Sequence, residues 1–215
     1  MTKAYTKLRE DICFFAKSMF DRGLTSGNSG NISVRTEDGG LLVTPTGSSF
    51  GRLDPAQLSL FNENLEHISG DKPTKEMPLH QAFYETRTQT GAVVHLHSTH
   101  SVALSLLNVE DEESFLPPLT PYAIMKLGKV TLLPFMLPGS AQIGQAIRGL
   151  AGKRSAVMLA HHGPVVAGKD LEAACFAMEE LEETAHLALL LHGKQVSQLS
   201  QEQVQLVVRQ FNVEW

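Results

Sequence analysis

Two apolar segments of this chain each end in histidines, and this feature most constrains the fold. Ala92-Val93-Val94 runs into His95-Leu96-His97, and residues 156–160 run into His161-His162. Short apolar runs of this kind are typical of buried strands, in which alternate side chains point to opposite faces. His95 and His97 are therefore expected on one face at a strand end, where two imidazoles can share a metal ion. The pair alone fits equally well two polar side chains bonded to neighbouring backbone.

The composition predicts one globular domain over residues 1–215. A hydrophobic content of 42% and a charged content of 19% are enough for a sizeable core, and no repeat or linker divides the chain. A net charge of -5 argues against a nucleic-acid partner. The apolar runs are too short to span a membrane. Two cysteines without a disulfide or leader pattern predict a cytoplasmic protein.

The order of predicted elements is that of a mixed α/β chain. Helical periodicity predicts helices over about residues 3–22, 76–85, 99–107, 139–150, 170–192 and 201–211. Strands are predicted over 32–35, 41–44, 92–94, 130–135 and 156–160, and an acidic, proline-rich loop over 109–121. Thr74 suits the N-cap of the second helix, and Glu76 would lie in its first turn, where the helix dipole favours a carboxylate.

Two loops rich in small residues flank the first predicted hairpin. Residues 25–31 contain Gly27 and Gly30, and residues 45–49 repeat the same small, hydroxyl-rich character. Such loops expose backbone N–H groups and tolerate positive φ, which an anion cradle requires. For the first loop alone, an ordinary turn before a strand is the simpler explanation.

A further group of residues has the chemistry of a catalytic metal site. It combines His-x-His at one strand end, a histidine before Gly163 at another, and the carboxylate of Glu76 at a helix start. Three histidines with an open fourth position are typical of catalytic rather than structural zinc. A nearby glutamate could bind the metal and then leave it to move a proton.

Five motifs in the order of this chain resemble the class II aldolase family, which includes fuculose-phosphate aldolase, ribulose-5-phosphate 4-epimerase and the adducin head domain. The resemblance covers about residues 6–195. Its motifs are Gly30-Asn31-Ile32-Ser33, Thr44-Pro45-Thr46-Gly47, Lys75-Glu76, His95-Leu96-His97-Ser98 and His162-Gly163-Pro164. It implies a single-domain α/β/α layered fold with a central mixed, largely antiparallel sheet. It also implies a homotetramer with active sites between subunits.

The resemblance assigns roles to particular residues. It implies one Zn²⁺ per subunit, bound by His95, His97 and His162, with Glu76 as the acid/base and conditional fourth ligand. Tyr122 stands where relatives bring a tyrosine across a subunit boundary, and it is expected either to assist proton transfer there or to pack as an amphipathic ring. The implied phosphate cradle comprises Asn28, Gly30, Asn31, Thr46, Gly47, Thr74 and Lys75.

Within the family, the chain most resembles the 3-oxo-tetronate 4-phosphate decarboxylases, through segments such as residues 69–76, Thr120-Pro121-Tyr122 and residues 178–185. The implied reaction is loss of CO2 from a phosphorylated β-keto sugar acid to give dihydroxyacetone phosphate, and a Lewis acid would stabilise the charge that passes to the ketone oxygen. The aldolases usually carry a small hydroxyl residue in place of Lys75, and their C-terminal catalytic aromatic residues have no match here.

Two alternatives stay open at this point. The first is a sugar-phosphate aldolase or pentulose-phosphate 4-epimerase that uses the same metal and phosphate loops. The second is a non-catalytic interaction module like the adducin head, which the complete set of predicted metal ligands argues against.

Overall fold

The computed structural model describes residues 5–109 and 111–215, which fold around one eight-stranded sheet. The strands are β1 (Asn31–Arg35), β2 (Leu41–Val43), β3 (Ser59–Phe61), β4 (His67–Ser69), β5 (Ala92–His95), β6 (Val130–Leu133), β7 (Ala156–Leu159) and β8 (Gly163–Gly168). The helices are α1 (Thr6–Asp21), α2 (Met77–Thr86), α3 (Thr99–Ser105), α4 (Pro121–Leu127), α5 (Ala141–Gly149), α6 (Leu171–Leu191) and α7 (Gln201–Phe211).

The sheet is mixed and largely antiparallel, as predicted. Its strand order is β4-β3-β2-β1-β5-β8-β7-β6, and only the edge pair β6 and β7 is parallel. β5 therefore lies between β1 and β8, and His95 is opposite Asn31 on one side and Val165 on the other. This pairing places residues from three distant parts of the chain side by side.

Helices cover both faces of the sheet, which gives the predicted α/β/α layers. On one face α1 and α6 pack against side chains such as Ile32 and Val94. On the other face α2 and α5 pack against side chains such as Val93. Because both faces are covered, β7 and most of β5 and β8 are apolar on both faces, whereas β1 carries the buried polar side chains of Asn31 and Ser33 on the face toward α2. None of the helices in the described ranges combines the length and apolar character needed to cross a bilayer.

Most predicted helices are present with shifted ends, and α2 shows why one end differs. The helix begins at Met77, so Glu76 and not Thr74 occupies the N-cap position. A cap at Thr74 would require the N–H of residue 78 for the first helical hydrogen bond, and Pro78 has none. Thr74 Oγ1 instead accepts a hydrogen bond from the N–H of Glu76 at 3.2 Å. The predicted start of α1 at residue 3 lies outside the described residues.

The prediction of a loop up to residue 121, followed directly by Tyr122, misses a helix. Tyr122 lies in the first turn of α4, which Thr120 caps by accepting a hydrogen bond from the N–H of Ala123 at 3.2 Å. Thr-Pro is a common sequence at a helix start. The acidic, proline-rich segment before it indicates a loop, however, so the sequence does not predict this short helix. The strands β3, β4 and β8 are also additions to the predicted set, since each is short or begins with glycine and proline.

β8 begins with a close backbone approach that only glycine permits. A Cβ atom on Gly163 would lie 2.0 Å from the carbonyl oxygen of Leu96. The start of β8 therefore lies directly against the segment that joins His95 to His97. This contact brings the two histidine groups of the sequence to one point of the structure.

Candidate metal centre

His95 is the last residue of β5 and is fully buried. Its Nδ1 donates a hydrogen bond to the carbonyl oxygen of Pro164 at 2.8 Å. Because that nitrogen carries the proton of the neutral ring, Nε2 keeps a free lone pair. A backbone acceptor behind a histidine is the usual way to fix a metal ligand in orientation and tautomer.

Glu76, His95, His97 and His162 form a group whose possible ligand atoms all lie within 4.8 Å of one another. The Nε2 atoms of His95 and His97 are 3.1 Å apart. Glu76 Oε2 lies 3.3 Å from His95 Nε2, and Glu76 Oε1 lies 3.3 Å from His162 Nε2. Two ligand atoms bound to one tetrahedral zinc are about 3.3 Å apart. The four residues therefore have the spacing to hold a metal ion.

The electrostatics of the group also fit a cation. Glu76 Oε1 and His162 Nε2 are buried and have no hydrogen-bond partner among the described residues, which is uncommon for buried polar atoms. Burial and the neighbouring histidines keep the pKa of His95 well below its usual value. Burial likewise lowers the pKa of His97 and of His162. Neutral imidazoles are what a metal ion requires.

His161 lies outside this group. Its backbone is in the left-handed region, with φ of 60°, and its exposed ring contacts the edge of Phe135. The sharp turn at His161 sends the next side chain inward, so His162 reaches the cluster. Of two adjacent histidines, the structure therefore brings only the second to the site.

The small-residue loops converge beside the cluster. Residues 45 and 73 form an isolated β-bridge, the N–H of Thr46 donates to the carbonyl of Lys72 at 2.9 Å, and the N–H of Thr74 donates to Thr44 at 3.2 Å. Gly30 has φ of 89°, and a Cβ on it would be 3.0 Å from the carbonyl oxygen of His95. Gly47 also has positive φ, while Asn28 is exposed. The loops predicted to bind phosphate thus border the cluster of Glu76 and the three histidines.

Lys75 and Tyr122 occupy different surroundings. Lys75 is exposed, yet its charge helps to lower the pKa of His97 and of His162, so it lies beside the cluster. Gly139 packs over its stem, since a Cβ on that glycine would be 3.3 Å from Lys75 Cγ. Tyr122 is 61% exposed on α4, and in the described part of the chain it is not among the residues gathered at the cluster.

Sequence reasoning missed a row of buried polar residues behind Glu76. Asn31 Nδ2 donates to Glu76 Oε2 at 2.8 Å, and the amide oxygen of Asn31 contacts His80. Ser33 bonds to His80 Nδ1 at 2.7 Å and to the hydroxyl of Tyr84 at 3.0 Å. The signal was present, because residues 76, 80 and 84 have the four-residue spacing of one helix face, and residues 31 and 33 have the two-residue spacing of one strand face.

Glu182 on α6 is a second residue that sequence reasoning left without a role. It is buried and holds the start of α3, which follows directly after His97 and Ser98. Its Oε1 accepts from the N–H and Nδ1 of His100 at 2.9 and 2.8 Å. Its Oε2 accepts from the N–H and Oγ of Ser101 at 2.9 and 2.6 Å. His100 therefore faces Glu182 and stacks on His186, with ring centroids 4.1 Å apart.

Residues 10–189 match the family model described as Class II Aldolase and Adducin N-terminal domain. The chain belongs to this family. As its relatives show, it is an enzyme of the carbon–carbon lyase type.

Two curated relatives from Escherichia coli strain K12 represent two activities of the family. A 3-oxo-tetronate 4-phosphate decarboxylase is 46% identical over 198 residues, which cover 92% of this chain and 93% of the relative. An L-fuculose phosphate aldolase is 32% identical over 209 residues, which cover 95% of this chain and 94% of the relative.

A solved structure confirms the fold of the class II aldolases for this chain. YgbL from Escherichia coli, described as an aldolase, epimerase or decarboxylase, superposes with a TM-score of 0.91. The two chains are 43% identical, and the match covers 94% of this chain and 97% of that chain.

The contacts of Glu182 give a testable prediction. Glu182→Gln should lower the free energy of unfolding by about 1–3 kcal/mol, because the new amide group faces the two donors of either His100 or Ser101, which lose their acceptor. Urea denaturation monitored by circular dichroism measures the change. Glu183→Gln is the matched control, since the side chain of Glu183 is 78% exposed. An equal loss of stability in both variants would contradict the role given to Glu182.

Proposed function

We propose that this enzyme decarboxylates 3-oxo-tetronate 4-phosphate to dihydroxyacetone phosphate and CO2 in sugar-acid catabolism. The observation that carries the proposal is the difference between the two kinds of relative. Identity is 46% to a decarboxylase and 32% to an aldolase, and both alignments extend over more than nine-tenths of the chain. Lys75, which departs from the aldolase pattern, lies beside the cluster and supports the same choice.

The proposed cofactor is one Zn²⁺ per subunit, with His95, His97 and His162 as permanent ligands and Glu76 as the conditional fourth. The spacing of the ligand atoms, the neutral imidazoles and the unpartnered Oε1 and Nε2 atoms support this assignment. When bound, zinc supplies a Lewis acid for the negative charge that develops on the ketone oxygen as CO2 leaves.

In this proposal Glu76 moves the proton. Its two carboxylate oxygens are inequivalent, because Oε2 is held by Asn31 while Oε1 has no hydrogen-bond partner in the described part of the chain. Oε1 is therefore the oxygen that can take up a proton from solvent before the reaction and pass it to the carbon that has lost CO2, which returns Glu76 to the carboxylate. The burial of Glu76, at 4% exposure, keeps bulk water from competing for that proton.

In this proposal substrate recognition falls to the loops over residues 25–31 and 45–49, to Thr74 and to Lys75. Asn28, Gly30, Asn31, Thr46, Gly47 and Thr74 offer neutral donors for the phosphate, whereas Lys75 adds a mobile positive charge. We assign Lys75 to orienting the anionic substrate. A permanent ionic contact between Lys75 and the substrate carboxylate would stabilise the ground state and would oppose loss of that carboxylate as CO2.

The remaining features of the proposal concern the assembly. We propose a single domain over residues 1–215, a cytoplasmic location and a homotetramer in which Tyr122 serves a neighbouring subunit. Two observations support subunit contact near the site: Phe135 and Leu137 are 61% and 67% exposed, and their loop leads to Gly139 over Lys75. Both cysteines are unpaired, as a reducing compartment requires.

Product analysis tests the proposed reaction against its alternatives. The zinc-loaded protein should release CO2 from 3-oxo-tetronate 4-phosphate and form dihydroxyacetone phosphate. It should release no aldehyde from fuculose 1-phosphate and should not epimerise ribulose 5-phosphate. Aldehyde release or epimerisation as the main activity would replace the decarboxylase with the aldolase or epimerase alternative. Inactivity on all three substrates would favour the non-catalytic adducin-like alternative.

The adjacent histidines give a matched test of the metal ligands. His162→Ala should lose most of the bound zinc and all measurable turnover, because one of three permanent ligands is gone. His161→Ala should keep one zinc per chain, since that side chain is exposed and outside the cluster. Zinc is measured by mass spectrometry of the dialysed proteins. The reverse pattern would overturn the ligand assignment.

The orienting role of Lys75 is tested by Lys75→Met, which keeps the stem and removes the charge. We expect KM for the phosphorylated acid to rise by about ten-fold or more, as for the loss of one strong ionic contact, with zinc content unchanged. Lys153→Met, at another exposed lysine, is the control. Unaltered kinetic constants in Lys75→Met would make Lys75 a surface residue without a role in binding.

A further inference from the structure

A continuous row of buried hydrogen bonds leads from Glu76 into the protein. Glu76 bonds to Asn31, Asn31 to His80, His80 to Ser33 and Ser33 to Tyr84. Every one of these side chains is at most 8% exposed, and His80 and Ser33 are fully buried. Buried polar groups are costly unless each has a partner, so a row of five calls for an explanation. The proposed function uses only Glu76 and Asn31.

The direction of every bond in the row follows from the one before it. A carboxylate only accepts, so Asn31 must present its NH2 group to Glu76 and its oxygen to His80. That oxygen also only accepts, so His80 must carry its proton on Nε2. Nδ1 of the neutral ring then accepts from the Ser33 hydroxyl, and Ser33 in turn accepts from the hydroxyl of Tyr84. All donors in the row thus point toward the carboxylate.

The opposite tautomer of His80 would disturb this arrangement. With the proton on Nδ1, the lone pair of Nε2 would face Asn31, and the amide would have to rotate to donate to it. The amide oxygen would then face Glu76 Oε2 at 2.8 Å, where two acceptors repel each other. Glu76 Oε2 would then lose the donor that holds it in place. Ser33 can pair with either tautomer, because its hydroxyl can donate to Nδ1 or accept from it, so the tautomer is set from the Asn31 side.

We propose that His80 is a positioning residue, which acts through the amide of Asn31 to hold Oε2 of Glu76 and to leave Oε1 as the oxygen that transfers the proton. Burial, which lowers the pKa of His80 to about 3, is consistent with the neutral ring that this role requires. The inference rests on the proposed function, because it takes Glu76 as the acid/base. Ser33 and Tyr84 complete the hydrogen bonding of the buried ring at Nδ1.

Kinetics of two variants at position 80 test the proposal. His80→Leu removes the donor to Asn31, and we expect kcat to fall by about ten-fold or more with KM within about two-fold of the parent, since proton transfer is affected and binding is not. His80→Gln retains a donor near the position of Nε2 and should recover most of kcat. Zinc content should stay at one per chain in both variants.

Two controls separate positioning from a purely structural role. Phe83→Leu changes a core residue of the same helix, 1% exposed, and should lower stability without lowering kcat at a temperature well below unfolding. The double variant His80→Leu/Asn31→Leu should have the same kcat as Asn31→Leu alone, because His80 acts only through Asn31. Multiplied losses in the double variant, or an equal loss of kcat in Phe83→Leu, would overturn the proposal.

A spectroscopic measurement tests the same inference without any reaction. Nitrogen NMR of protein labelled at histidine distinguishes the two neutral tautomers and the cation, and the signal of His80 is the one missing from His80→Gln. We expect the Nε2–H tautomer from about pH 6 to about pH 9, both without metal and with zinc. The Nδ1–H tautomer or a cation would overturn the proposal even if CO2 release is observed. If the expected tautomer is found but no CO2 is released, the proposed reaction fails and the positioning of Glu76 stands.

Discussion

The antiparallel pairing of β5 with β1 and β8 is the constraint on which the rest of the structure depends. It joins the strand that ends in His95 to the strand that begins just after His162, and the Gly163 backbone approaches Leu96 closely enough to exclude a side chain. On the other side the same strand is paired with Asn31. Apolar side chains fill most of both faces, so the histidines at the strand ends meet at one point, and the remaining buried polar side chains of β1 pair with α2.

The cluster at that point is supported by contacts on every side. The carbonyl of Pro164 orients His95, Asn31 holds Glu76, and Glu182 anchors the start of α3 immediately after His97 and Ser98. Each support comes from a different element, so the ligand positions do not depend on one loop. A site built in this way is preorganised, which is what charge stabilisation in a transition state requires.

The same construction explains how one family can support several reactions. In the proposed function, the buried side of the site, formed by strands and helix starts, would provide the metal ligands and the proton-carrying carboxylate. The open side, formed by exposed groups such as Asn28, Thr46 and Lys75, would face the substrate. Changes on the open side can alter which carbon–carbon bond lies over the cluster while the buried side stays the same. The position of Lys75 therefore separates the proposed decarboxylase from an aldolase more sharply than the ligands do.

The sequence by itself determined the mixed α/β class and the apolar strands of the sheet centre, because burial periodicity is a local property, while the resemblance to the class II aldolases implied the four residues of the cluster. Only the tertiary structure decided the rest. Pro78 moved the start of α2 so that Glu76 became its N-cap, and the turn at His161 directed His162 inward. The row from Asn31 to Tyr84 has a local signal in its four- and two-residue spacings, yet its partners lie on different elements. Packing decides which face of α2 contacts which face of β1. No single segment of the sequence carries that information.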